Sequence, residues 1–132
     1  MKKLSLLACL MTVTTGLAMA TTVSIPFFSD NGTVRSCFVG LQNTDTVAQS
    51  ITVIYLDKNG LTENRGTFTL QPNQSISYRP NTAVGGAEVQ PAGLPDAGYK
   101  NGSITFESTG SLAGRFVQID SQGSFAHNLE VN

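Results

Sequence analysis

After residue 20 the chain is a succession of short β-branched and aromatic runs separated by clusters of Gly, Asn, Pro and Asp, with no 3.6-residue periodicity, no repeat and no low-complexity linker. No other feature limits the fold so strongly, because a chain punctuated in this way folds as strands. The runs fall at residues 22–28, 34–42, 49–56, 66–70, 74–79, 102–107, 112–119 and 124–131. Between the third and fourth, Asp57-Lys58-Asn59-Gly60 supplies an Asn-Gly pair that tolerates the left-handed backbone of a tight hairpin, so the flanking strands should pair antiparallel. Gln71-Pro72-Asn73 and Asp120-Ser121-Gln122-Gly123 should do the same for later strands. Residues 51–56 are apolar almost throughout, which suits a central strand or one covered on both faces, whereas residues 66–70 and 74–79 alternate and should keep one wet face. The prediction is an all-β fold: a single antiparallel β-sandwich of seven to eight strands with Greek-key connections, in one domain over residues 21–132.

The preceding segment reads as an export leader. Lys2 and Lys3 are followed by an apolar run from Leu4 to about Leu17 and by Ala18-Met19-Ala20, a small-x-small cleavage site. The run is shorter than the roughly 20 apolar residues that span a bilayer, so a signal peptide over residues 1–20 is expected and no membrane span. Leu6-Leu7-Ala8-Cys9 resembles a lipobox, but lipidation at Cys9 would leave only residues 4–8 as the apolar region, less than the roughly 7 to 15 a leader uses. Cleavage after Ala20 is therefore favoured, placing the protein in the periplasm or outside the cell. Without Lys2 and Lys3, six basic residues face nine acidic ones, which excludes a nucleic-acid surface.

The chemistry-bearing residues are few. Beyond the leader the chain has one cysteine, Cys37, and one histidine, His127. Strand alternation puts His127 with Phe125, Leu129 and Val131 on an apolar face toward the core, leaving Ser124, Asn128 and Glu130 outward. Cys37 lines up with Arg35, Val39 and Leu41, as a buried thiol does. A catalytic Cys-His pair needs a base or a helix dipole to lower the thiol pKa, and no motif around Cys37 provides one. An intermolecular disulfide is the more reasonable use of an unpaired cysteine in an oxidising compartment. One histidine and one cysteine cannot close a zinc site, and the Asp57 turn lacks the ligands of a calcium loop, so no metal and no cofactor is expected. Arg115 falls on the face of Ala113, Val117 and Ile119, where it needs the rim or a carboxylate from Glu107, Asp120 or Glu130. Arg79, beside Tyr78 and Pro80, poses the same choice between an anion site and an ion pair. The long Gly-, Ala- and Pro-rich stretch over residues 80–99, ending at Tyr99, is either a binding loop or a crossover between sheets. Phe27-Phe28 beside a turn would anchor a partner if one ring is exposed.

The succession Cys37-Phe-Val-Gly-Leu-Gln-Asn43, Ser50-Ile-Thr-Val-Ile-Tyr-Leu-Asp57, Phe68-Thr-Leu-Gln-Pro72 and Leu112-Ala-Gly-Arg-Phe-Val-Gln-Ile-Asp-Ser121 resembles the small β-sandwich proteins of the sensory rhodopsin transducer type. The resemblance covers about four strands and implies a single sandwich, homo-oligomeric, that works by contact with partners or small ligands. The leader departs from that family's cytoplasmic setting, so the rhodopsin partnership is not carried over.

The sequence therefore predicts a secreted or periplasmic, non-catalytic binding or structural module of the bacterial envelope, acting through contacts with a protein partner or by self-association as an oligomer. A carbohydrate- or small-ligand-binding sandwich is the alternative, and a Cys-dependent enzyme ranks third. The surface residues expected to carry contacts are Arg79, Tyr99, Arg115, Asn128 and Glu130.

Overall fold

The computed structural model describes residues 20–31, 34–81 and 91–129. These form eight strands and no helix: β1 (Thr21–Ser29), β2 (Ser36–Asn43), β3 (Gln49–Asp57), β4 (Glu63–Leu70), β5 (Ser75–Tyr78), β6 (Asn101–Ser108), β7 (Leu112–Asp120) and β8 (Gly123–Leu129). They make two antiparallel four-stranded sheets, ordered β1-β6-β3-β4 and β5-β2-β7-β8. Every expected run is a strand. The leader, the loop centre at residues 82–90 and the end of the last run at residues 130–132 lie outside the described residues.

Consecutive strands pair within a sheet only in the β3-β4 and β7-β8 hairpins; the other five connections pass from one sheet to the other. The β3-β4 turn follows the expected chemistry, although only Gly60 takes a positive φ, of 70°. Its amide donates to the Asp57 carbonyl, and Asp57 Oδ1 accepts from the amides of Asn59 and Leu61. Those donors, Leu61 first, hold the Asp57 carboxyl below its ordinary range. Gln71-Pro72-Asn73 behaves differently from the expectation: it carries the chain from β4 into the other sheet, so β4 and β5 do not pair. The buried Asn43 explains the crossing, since its Nδ2 donates to the carbonyls of Val47, Leu70 and Gln71 and pins the turn to β2.

One core cluster joins both sheets. Val23, Ile25, Phe28, Ile51, Val53, Tyr55, Ile104 and Phe106 come from the first sheet; Cys37, Val39, Leu41, Ile76, Tyr78, Leu112 and Phe116 come from the second. The Tyr55 hydroxyl donates to that of Tyr78 across the gap at 3.1 Å, and Tyr78 meets the Phe106 ring edge-on. Burial alternates along β3, with Thr52, Ile54 and Leu56 half-buried, so β3 is the central kind of strand and only one of its faces is fully covered.

Candidate functional site: a groove between β1 and β8

The two flanks of the molecule are built differently. On one, residues 91–97 run beside β4: Asn64 Nδ2 donates to the Asp96 carbonyl at 2.7 Å, and the glycine at position 93 lies so close that a Cβ there would overlap the Thr67 carbonyl. This segment inserts Leu94 and Ala97 into the core, both nearly inaccessible. On the other flank β1 lies over β7, β8 extends beyond it, and no described residue fills the gap. What remains is a groove of about 310 Å³.

Its floor is Ile25 and Phe116. Phe27, Phe125, His127 and Leu129 form the walls, and Ser29, Arg35, Gln118 and Asp120 stand at one end. The His127 ring stacks on Phe116 with centroids 6.2 Å apart and meets Phe125 edge-on at 5.4 Å. Alternation thus placed Phe125, His127 and Leu129 together on the side of the core, but only Leu129 packs against the core cluster partly buried, while His127 covers Phe116 from the solvent side and Phe125 stays exposed. Every residue from 123 to 128 is exposed because β1, the nearest strand of the other sheet, meets β8 only at its margin. Phe27 is exposed at 57% whereas Phe28 is fully buried. The cause is a register shift between Ile25 and Phe28 that turns Phe28 inward and Phe27 into the groove. Pro26 inside the run was the legible signal, since proline within a strand marks an edge or a bulge.

The expected surface residues are scattered. Arg79 is structural: its guanidinium pairs with Asp30, which is fully buried, donates to Ser36 Oγ at 3.2 Å and sits 5.7 Å from the Phe38 ring. Tyr99 packs on the core cluster, and its hydroxyl donates to the Thr62 carbonyl at 3.4 Å; burial, with Asp57 and Glu63 adding to it, raises its pKa. Arg115 needs no carboxylate, because Ala113, Arg115 and Ile119 make up the wet side of β7 while Leu112, Phe116 and Gln118 are buried. Arg115 lies directly across from Asn128, and the two share a shallow outer depression with Gly40, Gln42 and Ser75. Glu130 is outside the described residues. Sequence reasoning missed Arg35 and the inward side of Asp120 as groove residues.

Cys37 and His127 are not brought together. Strand β7 separates them, and Cys37 is fully inaccessible. Burial pushes its thiol far up, with Asp30 adding to the shift and Arg79 opposing it. An intermolecular disulfide at Cys37 would therefore require β2 to leave the core, which corrects that expectation. Among the described residues no group of three or more His, Cys, Asp or Glu could hold a metal, and no helix is long and apolar enough to cross a membrane.

No protein-family model and no curated protein matches the chain. Among solved structures the chain is similar to the crystal structure of Thermotoga maritima 1070, with a TM-score of 0.57 and 17% identity over 81% of this chain and 88% of that one, a likeness of fold.

Proposed function

We propose that the protein is an exported, non-catalytic β-sandwich module of the bacterial envelope that acts through protein contacts along the free edge of β8, including pairing with a second copy of itself. The observation that carries this reading is the contrast among the four sheet edges. Natural sheets protect their edges with proline, bulges, charges or short strands. β1 has Pro26 and a register break, β4 carries the Glu63–Arg65 pair and the segment beside it, and β5 is only four residues long. β8 runs seven residues, Gly-Ser-Phe-Ala-His-Asn-Leu, in unbroken register with β7, without proline and without a Lys, Arg, Asp or Glu.

A two-fold antiparallel pairing centred on Ala126 sets Phe125 opposite the partner's His127 and Ser124 opposite the partner's Asn128, an aromatic pair and a polar pair of the kind that stabilises adjacent strands. Export is supported by the leader and by β1 starting at Thr21, the residue that cleavage after Ala20 would expose. The resemblance to transducer-type sandwiches implies the same contact-based, oligomeric character. Sugar binding through the 80–99 loop has no supporting geometry in the described part of that loop.

The test is light scattering on the mature chain beside Ser124→Lys with Asn128→Lys, which sets lysine opposite lysine in this pairing. We expect a dimer that becomes monomeric in the double variant with an unchanged far-UV circular dichroism spectrum, and a melting temperature that depends on protein concentration only in the parent chain. A monomer in both, or a dimer in both, sinks the β8 pairing.

A further inference from the structure

The groove's inner surface is distinct from the hydrogen-bonding edge of β8, and its chemistry is polarised. We propose that it binds a free α-amino acid with a large apolar side chain, such as phenylalanine or leucine. The apolar end calls for such a side chain: Phe116 and Ile25 form its floor between Phe27 and Phe125, where the opposite flank receives Leu94 and Ala97 from the chain itself. A volume of about 310 Å³ is at the small end of the roughly 300–1,000 Å³ typical of ligand pockets, so the occupant is small.

The polar end calls for a zwitterion. Ser36 is directly across from Ile119 at the end of the β2-β7 ladder, and the residues just beyond that pair, Arg35 and Asp120, both line the groove, one cation and one anion at the same end. They are not within ion-pair distance of each other, and the ion pairs among the described residues are Arg65–Glu63 and Arg79–Asp30. Asp120 accepts from the Gln122 amide through Oδ1, which leaves Oδ2 for a ligand ammonium; Arg35 presents a guanidinium suited to a carboxylate. The Gln118 amide between them is already committed, donating to the carbonyls of Ser29 and Ser36 and accepting from the Ser29 amide. An apolar acid alone would set its carboxylate beside Asp120, and an apolar amine would set its ammonium beside Arg35. The amino acid satisfies both charges.

Titration calorimetry on the mature chain should use phenylalanine, leucine, glycine, 3-phenylpropionate and 2-phenylethylamine. We expect phenylalanine and leucine to bind at least about tenfold more tightly than glycine, which leaves the apolar end of the groove unfilled, and at least about tenfold more tightly than either half-ligand, which lacks one charged hydrogen bond. Arg35→Gln and Asp120→Asn should each weaken phenylalanine by a similar factor, with far-UV circular dichroism unchanged, while Arg65→Gln on β4 leaves it intact. No binding of either amino acid, equal binding of a half-ligand, or insensitivity to both substitutions overturns the proposal. The Ser124→Lys, Asn128→Lys double variant lies on the outer face, so loss of pairing and loss of ligand binding are read separately.

Discussion

Tyr55, Tyr78 and Cys37 show what burial does to single groups. All three have raised pKa values, chiefly because the ionised form would lose its water. A raised folded-state pKa contributes stability that is fully present below the unfolded value and is lost as pH rises through the folded one. For Cys37 that window opens at the ordinary value of 9.0 and for the tyrosines at 10.0. Urea unfolding followed between pH 7 and 11 should therefore show a midpoint that begins to fall above about pH 9 and falls more steeply above about pH 10, and native Cys37 should resist iodoacetamide at pH 8 until urea is added. Rapid labelling of the native chain would contradict the burial of Cys37. At this scale Cys37 was legible as a packed thiol from its apolar neighbours. Phe27 was not, because a bulge changes which residues point inward without changing the residues themselves.

Among the elements, the β3-β4 hairpin is the one most completely encoded locally. Gly60 has open space around a would-be Cβ, so only its φ of 70° resists substitution. Gly60→Ala should cost about 1–2 kcal/mol, the penalty of a left-handed backbone at an L-residue, measured by urea denaturation. A neutral result would mean that the turn can change type. The β4-β5 connection has turn residues of the same sort and yet crosses between sheets, because Asn43, 27 positions from Leu70, supplies the partner for its carbonyls. Strand β8 shows the same division: its alternation was readable, but its exposure depends on where β1 sits. For Arg115, alternation was read with the wrong face inward, since Ala113, Val117 and Ile119 look apolar while Gln118 is buried as a bridge to Ser29.

Across the whole molecule, the sheets are tied at one end by Asp30, which follows β1, and Arg79, which follows β5. The two partners are unequally buried: Asp30 is fully enclosed, whereas the Arg79 side chain keeps 19% of its surface. Arg79→Met should thus cost about 3–5 kcal/mol by removing the countercharge of a buried carboxylate. Asp30→Asn should cost less, since the guanidinium retains water and Ser36. Equal losses in chemical denaturation would refute that asymmetry. The sequence alone determined the class, the eight strands to within a few residues and the β3-β4 hairpin, because period-two hydrophobicity and turn propensity act over neighbouring positions. Only the tertiary structure decided which strands share a sheet, which flank Leu94 closes, and that Arg35, Phe27, Asp120 and Phe125 line one groove. Those outcomes rest on contacts between residues far apart in the chain, on the bulge in β1 and on the offset of β8 beyond it, which short-range patterns do not encode.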